Sequence, residues 1–392
     1  MNKIKKKQIV YLDFMILMIA LGASDALRGV FAPIFQTHFA LTASRLSAII
    51  TVSYLGNLVF LLVGTRFADR YSMKRVFAGV TVMWLCALGL YITTDNFYVL
   101  LIGMFFSMGA STLLNTMVNL LSPLLFAAPG MVINTLFFTQ GIGTSASQGV
   151  IGNMADGYGW WKGVNGVLFL MGTVSLILFL MLDIPEREKE GVKDKNDKNS
   201  LKQQLTQPVF WYFFLIFGFY FIAEHGIMNW LVIYCQQQLG METGRASLYL
   251  AMFFGGMTVG RLVMSPFVQK LGALKSICVF GGIGTVLYIG ALVPNSEKTM
   301  ILMGIAGLFL SIVYPTLVYA IQGFYPSGSV ASATGTIISA ATVFDIGFNA
   351  IFGKIIDAAG FRTGFMILPV SLALFIVIFI VFTMGVKPLK QV

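Results

Sequence analysis

Apolar runs of helix-spanning length alternate with short polar ones along the whole chain. Twelve are long enough to cross a bilayer, since a spanning helix needs about 20 apolar residues. Approximate limits are 9–37, 44–67, 75–94, 97–127, 131–156, 160–183, 208–238, 243–269, 273–294, 298–323, 329–356 and 361–386. Several exceed 25 residues, which predicts tilted or kinked helices. The alternating segments of about 10 residues that mark barrel strands do not occur. The expected fold is an all-α integral membrane protein with 12 transmembrane helices.

One segment breaks the rhythm. Residues 184–207 read IPEREKEGVKDKNDKNSLKQQLTQ, with eleven charges in 24 positions out of 42 charged residues in the chain. Such a mixed-sign stretch buries too little apolar surface to fold alone, and it is costly inside lipid. It reads as a hydrated cytoplasmic linker between an N-terminal six-helix bundle, 1–183, and a C-terminal one, 208–392.

The two halves are copies. At an offset of 200, 41–75 falls on 241–275 with identities at Arg45/Arg245, Ser47/Ser247, Gly56/Gly256, Val59/Val259, Leu62/Leu262, Val63/Val263 and Phe67/Phe267. At an offset of 201, Gly152, Asp156, Gly159 and Gly163 meet Gly353, Asp357, Gly360 and Gly364. Apolar similarity is cheap, but a glycine and polar register kept at two separated places is not. Two pseudo-symmetric six-helix bundles, related as parallel repeats, are the architecture of transporters with a midplane site.

Composition agrees: 57% hydrophobic residues and 11% charged, against about 25% charged in soluble domains. The net charge of +10 is topological. With both termini cytoplasmic, that side holds 18 Lys and Arg, whereas the outer loops hold five: Arg45, Lys162, Arg245, Lys298 and Arg362. This positive-inside bias places a multi-pass protein in the cell's cytoplasmic (inner) membrane and argues against a nucleic-acid partner. Asp13 within the first apolar run, and eleven further spans, argue for an uncleaved first helix over a signal peptide. Cys86, Cys235 and Cys278 show no metal or redox spacing. With two histidines in all, His38 and His225, and no nucleophile–base pairing or phosphate loop, neither enzyme chemistry nor a cofactor or metal is expected.

The loop after span 2 runs Gly64-Thr-Arg-Phe-Ala-Asp69-Arg70-Tyr-Ser-Met-Lys74-Arg75. It resembles the signature loop of the major facilitator superfamily, a Gly followed five residues later by Asp-Arg and then a basic pair. The resemblance implies a conformational latch formed by Gly64, Asp69, Arg70, Lys74 and Arg75. Ser72 stands where the family usually has Gly, and Gln269 replaces the acid in the second copy. Three further stretches are similar to the fucose permease branch, the fucose–galactose–glucose proton symporters. They are Pro33-Ile-Phe-Gln-Thr-His-Phe-Ala-Leu-Thr42, the set Asn134, Gln140 and Gly143, and Ser311-Ile-Val-Tyr-Pro-Thr316. Both acids of that branch are absent here: Gly29 and Asn115 occupy their positions.

Charges inside spans are expensive, about 2.5–3.5 kcal/mol at mid-bilayer on the insertion scale, so each is read for function first. Span 1 carries Asp25 and Arg28 on one face, either an ion pair locking the helix or part of a site. Span 7 carries Glu224 with His225 beside it, and the repeat aligns Ser24 with Glu224 and Asp25 with His225. The resemblance implies that spans 1 and 7 line a shared cavity. Glu224 and then Asp345 have no obvious partner one turn away on their own helix. They are the candidates for proton coupling, with Asp25 third; a hydrogen bond to a neighbouring helix is the competing reading. Arg261 and Lys354 read as snorkelling side chains. The substrate-binding candidates are Asp25, Arg28, the amides Asn115, Asn119, Gln140, Asn229 and Asn349, which suit hydroxyl groups, and Trp230 and Tyr314, which suit a sugar's apolar face.

These features point to a monomeric secondary transporter whose partners are a small-molecule substrate, the proton and the lipid bilayer. The expected substrate is a neutral, sugar-like polar solute, carried by proton-coupled symport through alternating access. The alternatives are proton-driven efflux of a drug or metabolite, and a non-transporting membrane sensor or assembly factor.

Overall fold

The computed structural model describes residues 3–182, 204–326 and 329–389, with the side chains of 3–7, 63–70, 129 and 331 left out. The chain divides into two compact units, Met1–Val192 and Lys193–Val392. The segment 183–203, most of the charged stretch, lies outside the described residues, as do the side chains of Gly64, Asp69 and Arg70.

In the first unit, α1 (Lys3–Val30) is followed by α2 (Ala43–Arg70), α3 (Met73–Thr93), α4 (Phe97–Leu125), α5 (Pro129–Ala146) and α6 (Tyr158–Leu180). The second unit holds α7 (Pro208–Leu239), α8 (Thr243–Leu271), α9 (Gly282–Leu292), α10 (Leu302–Leu310), α11 (Val330–Ala359) and α12 (Ile367–Gly385). No strand occurs among the described residues. Among the described residues, eleven helices are long and apolar enough to cross a membrane. The segment 129–154, rich in Gly, Ser and Thr, is not among them, yet it packs along α1 as the sixth long helical segment of its unit.

The long spans are kinked at identifiable residues. α1 breaks at Phe31 and resumes as Ala32–His38, with Pro33 in the first turn of the new piece. α10 breaks at Ser311–Ile312 and resumes as Val313–Ala320. Pro315 has no amide for the Ser311 carbonyl, which is what breaks an α-helix there. The Ser311–Thr316 motif is therefore a hinge in the backbone. α5 continues through a π turn, Ser147–Ile151, to Gly152–Met154, and α9 enters through another, Ile277–Gly281, after Ala273–Ser276. Gly240, at φ 65, closes α7, with the amide of Met241 donating to the Cys235 carbonyl; glycine adopts that conformation at low cost.

Both units use the same helix pairings. α2 packs on α4 as α8 packs on α10, α1 on α5 as α7 on α11, and α3 on α6 as α9 on α12. Glycines make the close approaches. A Cβ on Gly56 would strike the Phe105 carbonyl of α4, and one on Gly256 would strike the Gly304 carbonyl of α10. Gly22 and Gly143 serve α1 and α5 in the same way, against Gln140 and Ile19. In lipid the apolar effect does not drive helices together, so close backbone packing through small residues does.

Aromatic residues fill the remainder. Phe77 stacks on Phe179 at 4.0 Å between ring centres, with Phe14 against both. In the second unit Tyr234 stacks on Phe365 at 3.9 Å. At the α2–α3 turn, Ser72 accepts the amide of Arg75 and caps α3, a local reason for serine where the family has glycine. The Lys74 amine donates to the carbonyls of Leu180 at 2.9 Å and Leu182 at 2.6 Å, so it ties down the end of α6.

Candidate functional site

Each unit carries its own buried polar cluster. In the first, Asp25 of α1 accepts a 2.8 Å hydrogen bond from the Ser111 hydroxyl of α4. Arg28, one turn on and buried, places its guanidinium 4.9 Å from the centre of the Tyr54 ring on α2. Arginine over a tyrosine face is attracted to the ring quadrupole, the more so away from water. Ser111 begins a helical stripe, i, i+4, i+8, that continues through Asn115 and Asn119. Both side-chain carbonyl oxygens of these asparagines are buried without a hydrogen-bond partner. Pro123, inside α4, removes the amide that the Asn119 backbone carbonyl would otherwise receive, leaving one more acceptor at that level. Gln140 lies on the α5 face that meets Gly22 of α1.

In the second unit, adjacent residues of α7 look to different neighbours, as the 100° helical step requires. His225 faces α11, where its Nδ1 lies 2.6 Å from Asp345 Oδ2. Asp345 is fully buried, and its other oxygen accepts from the Asn349 amide at 3.0 Å. Phe221 stacks on the His225 ring at 5.3 Å, and Tyr314 lies 6.0 Å from Phe221. Glu224 lies instead among Tyr220 of its own helix, Tyr288 of α9 and Tyr314 of α10, within electrostatic reach of each, and Arg261 of α8 acts on Tyr220 and Tyr314. The Tyr220 hydroxyl is near the Glu224 carboxylate but makes no hydrogen bond to it by geometry.

Several sequence expectations change here. Asp345 does have partners, one turn away in Asn349 and across the helix interface in His225. His225 meets Asp345 on the neighbouring helix. Trp230 does not present a stacking face: it is fully buried between Phe352 and Phe361, where the indole packs α7 against α11 and the start of the last span. Asn229 and Asn349 both turn an amide donor back to the carbonyl four residues earlier, at 2.7 and 2.9 Å, so each has less left for a solute. Sequence reasoning missed Ser111 and Tyr54, since a serine and a tyrosine inside apolar spans carry no signal of their own. The His225–Asp345 pair was available in principle, as the one intramembrane histidine and an intramembrane acid. Its geometry needs the α7–α11 pairing.

The sequence profile described as "Major Facilitator Superfamily" matches residues 14–344. Among curated proteins, the chain is 23% identical over 194 residues to a "Putative glucose/galactose transporter" of Helicobacter pylori (strain J99 / ATCC 700824), covering 48% of this chain and 45% of that protein. It thus spans less than half the length of that relative. It is 24% identical over 372 residues to the "Hexuronate transporter" of Bacillus subtilis (strain 168), covering 88% of this chain and 86% of that one. Among solved structures, it superposes on the nucleoside transporter NupG with a TM-score of 0.71 at 14% identity, covering 99% of this chain and 100% of that one. FucP in the outward conformation follows with a TM-score of 0.65 at 15% identity, covering 96% and 99%. Family and fold are those of transporters and not of enzymes, and the chain belongs to the Major Facilitator Superfamily.

Proposed function

We propose that the protein is a proton-coupled secondary transporter that moves a small, neutral, sugar-like polar solute across the cytoplasmic membrane by alternating access. One observation carries this reading: on α7, His225 meets the buried Asp345 of α11, while Glu224 stands within electrostatic reach of Tyr288 and Tyr314 on other helices, in an otherwise apolar bundle. Ionisable groups in such a setting are costly and mark proton or substrate pathways. Glu224 and the His225–Asp345 pair are the proton-handling groups of this proposal. Asp25, Asn115, Asn119 and Gln140 supply the hydroxyl-recognising groups of the first unit.

A second reading, an organic acid as substrate, is favoured by the buried Arg28 guanidinium of α1. The printed name of the relative matched over 86% of its length, a hexuronate transporter, is consistent with it. Arginine is the side chain best fitted to a carboxylate.

Proteoliposomes with an imposed pH gradient separate the cases. Symport predicts that adding a hexose alkalinises the outside medium, while a uronate that competes for uptake and loses affinity in Arg28→Gln favours the second reading. Glu224→Gln should abolish gradient-driven accumulation yet leave solute exchange. Accumulation unchanged in both Glu224→Gln and Asp345→Asn would remove these groups from the coupling.

A further inference from the structure

Asp13 of α1 is fully buried, and among the described residues no group meets either of its carboxylate oxygens in hydrogen-bond geometry. Ser175 of α6 lies close enough to act on it, yet the Ser175 hydroxyl is itself buried and unpartnered. Serine and threonine inside helices ordinarily donate to the carbonyl one turn back, as Thr139, Ser145 and Thr173 do in this unit. Ser175 does not. Gln148, in the π turn of α5, is fully buried with both amide atoms unpartnered. The antiparallel register of α1 and α5, fixed where Gly22 meets Gln140 and Ile19 meets Gly143, continues to put Gln148 level with Phe14. The π turn packs against α1. Extra-residue turns of this kind occur often at functional positions.

Neither protonation state of Asp13 is fully satisfied by the described groups around it. An ionised carboxylate without a partner in an apolar interior is strongly disfavoured. A protonated one can turn its O–H to the nearby Ser175 oxygen, which still leaves its other oxygen and the Gln148 amide unanswered. Lys74, whose contacts lie at the neighbouring end of α6, gives its amine to the carbonyls of Leu180 and Leu182. What remains is a set of oxygens on three helices: two of a carboxylate, one hydroxyl and one amide carbonyl. That is a hard donor set, suited to a hard cation. With one carboxylate, a monovalent ion leaves no net charge in the bundle, whereas a divalent ion leaves one.

We propose that Asp13, Ser175 and Gln148 form a binding site for an alkali-metal cation inside the first six-helix unit. It is distinct from the Asp25–Ser111 contact, which lies 12 residues along α1, about 18 Å away at the helical rise, and it does not depend on which solute the protein carries.

The test uses the purified full-length protein in nanodiscs at fixed pH and ionic strength. Thermal unfolding is followed in sodium, potassium or N-methylglucamine chloride, alongside equilibrium binding of radioactive sodium. The expected result is a saturable rise in the unfolding midpoint with sodium but not with N-methylglucamine, matched by saturable sodium binding. Asp13→Asn abolishes both. Ser175→Ala and Gln148→Leu each raise the half-saturating concentration by about tenfold, and they carry the test if Asp13→Asn does not fold. Saturation by potassium in place of sodium identifies the larger ion and supports the site. Equal midpoints in sodium, potassium and N-methylglucamine chloride, without saturable binding of sodium, overturn it. So does an ion response untouched by all the substitutions.

Discussion

The contact between His225 and Asp345 can be weighed by a double-mutant cycle, because its energy depends on whether charge is involved. The two side chains approach to 2.6 Å, and the carboxylate is fully buried. Neutral side-chain hydrogen bonds between membrane helices are modest, averaging about 0.6 kcal/mol and reaching about 1.7. Hydrogen bonds to a charged group contribute about 1.5–3 kcal/mol. Removing one member of a buried ionic pair costs about 3–5 kcal/mol, since the other is left uncompensated. Asn349 still donates to Asp345 when His225 is removed, which puts the cost of His225→Ala toward the lower end of that range. The single variants His225→Ala and Asp345→Ala and their combination are compared by reversible unfolding in mixed micelles. The double variant should lose less than the sum of the two, by about 2–3 kcal/mol if the pair is ionic. A coupling near 0.6 kcal/mol would mean a neutral pair. Additivity within about 0.3–0.5 kcal/mol would show that the two side chains do not act as a unit, and the proton-handling role given to the pair would fall with it.

Two other expectations follow from packing and capping. Gly56→Val should lower the unfolding midpoint and the yield of folded protein, by about 1–3 kcal/mol of overpacking, because its Cβ would meet the Phe105 backbone; Gly79→Val, in open space on α3, is the matched control, and equal loss in both would refute the close-packing argument. Ser72→Ala should cost about 1 kcal/mol through the lost α3 cap, and Ser72→Gly only a few tenths; thermal unfolding that ranks glycine below alanine would show that Ser72 does not act as the cap.

The helices were legible because each needs a long apolar run, and the repeat was legible because Gly56 and Gly256 hold equivalent close approaches. The breaks were visible only as prolines. Pro33 and Pro315 do mark interruptions, whereas Pro123 and Pro266 sit inside continuous helices. Proline removes one hydrogen bond in every case, and the surrounding packing decides whether the helix axis yields. The polar partners were the least legible. Glu224 and His225 are neighbours in the chain, but the 100° helical step turns them to different neighbours, and which helix His225 meets depends on the α7–α11 pairing. Trp230 looked like a sugar platform by type alone, and its burial between two phenylalanines depends on contacts across three helices.

The two copies diverge in a way that separates what the fold requires from what a site requires. The aligned positions Asp25 and His225 both carry a polar group at the same depth, yet one turns to Ser111 on the fourth helix of its unit and the other to Asp345 on the fifth. Helix pairings and the close approach at Gly56 and Gly256 stay the same in both units. Backbone packing has few solutions in lipid, because a side chain at a closest approach forces the helices apart. A polar side chain inside the bundle has several, since any neighbouring helix with a matching donor or acceptor satisfies it. Duplication therefore preserves the scaffold and leaves the chemistry free to change in each half. The intramembrane acids Asp13, Asp25 and Asp345 illustrate the outcome: none has an acidic counterpart at the repeat-equivalent position in the other half, where Phe213, His225 and Thr144 stand.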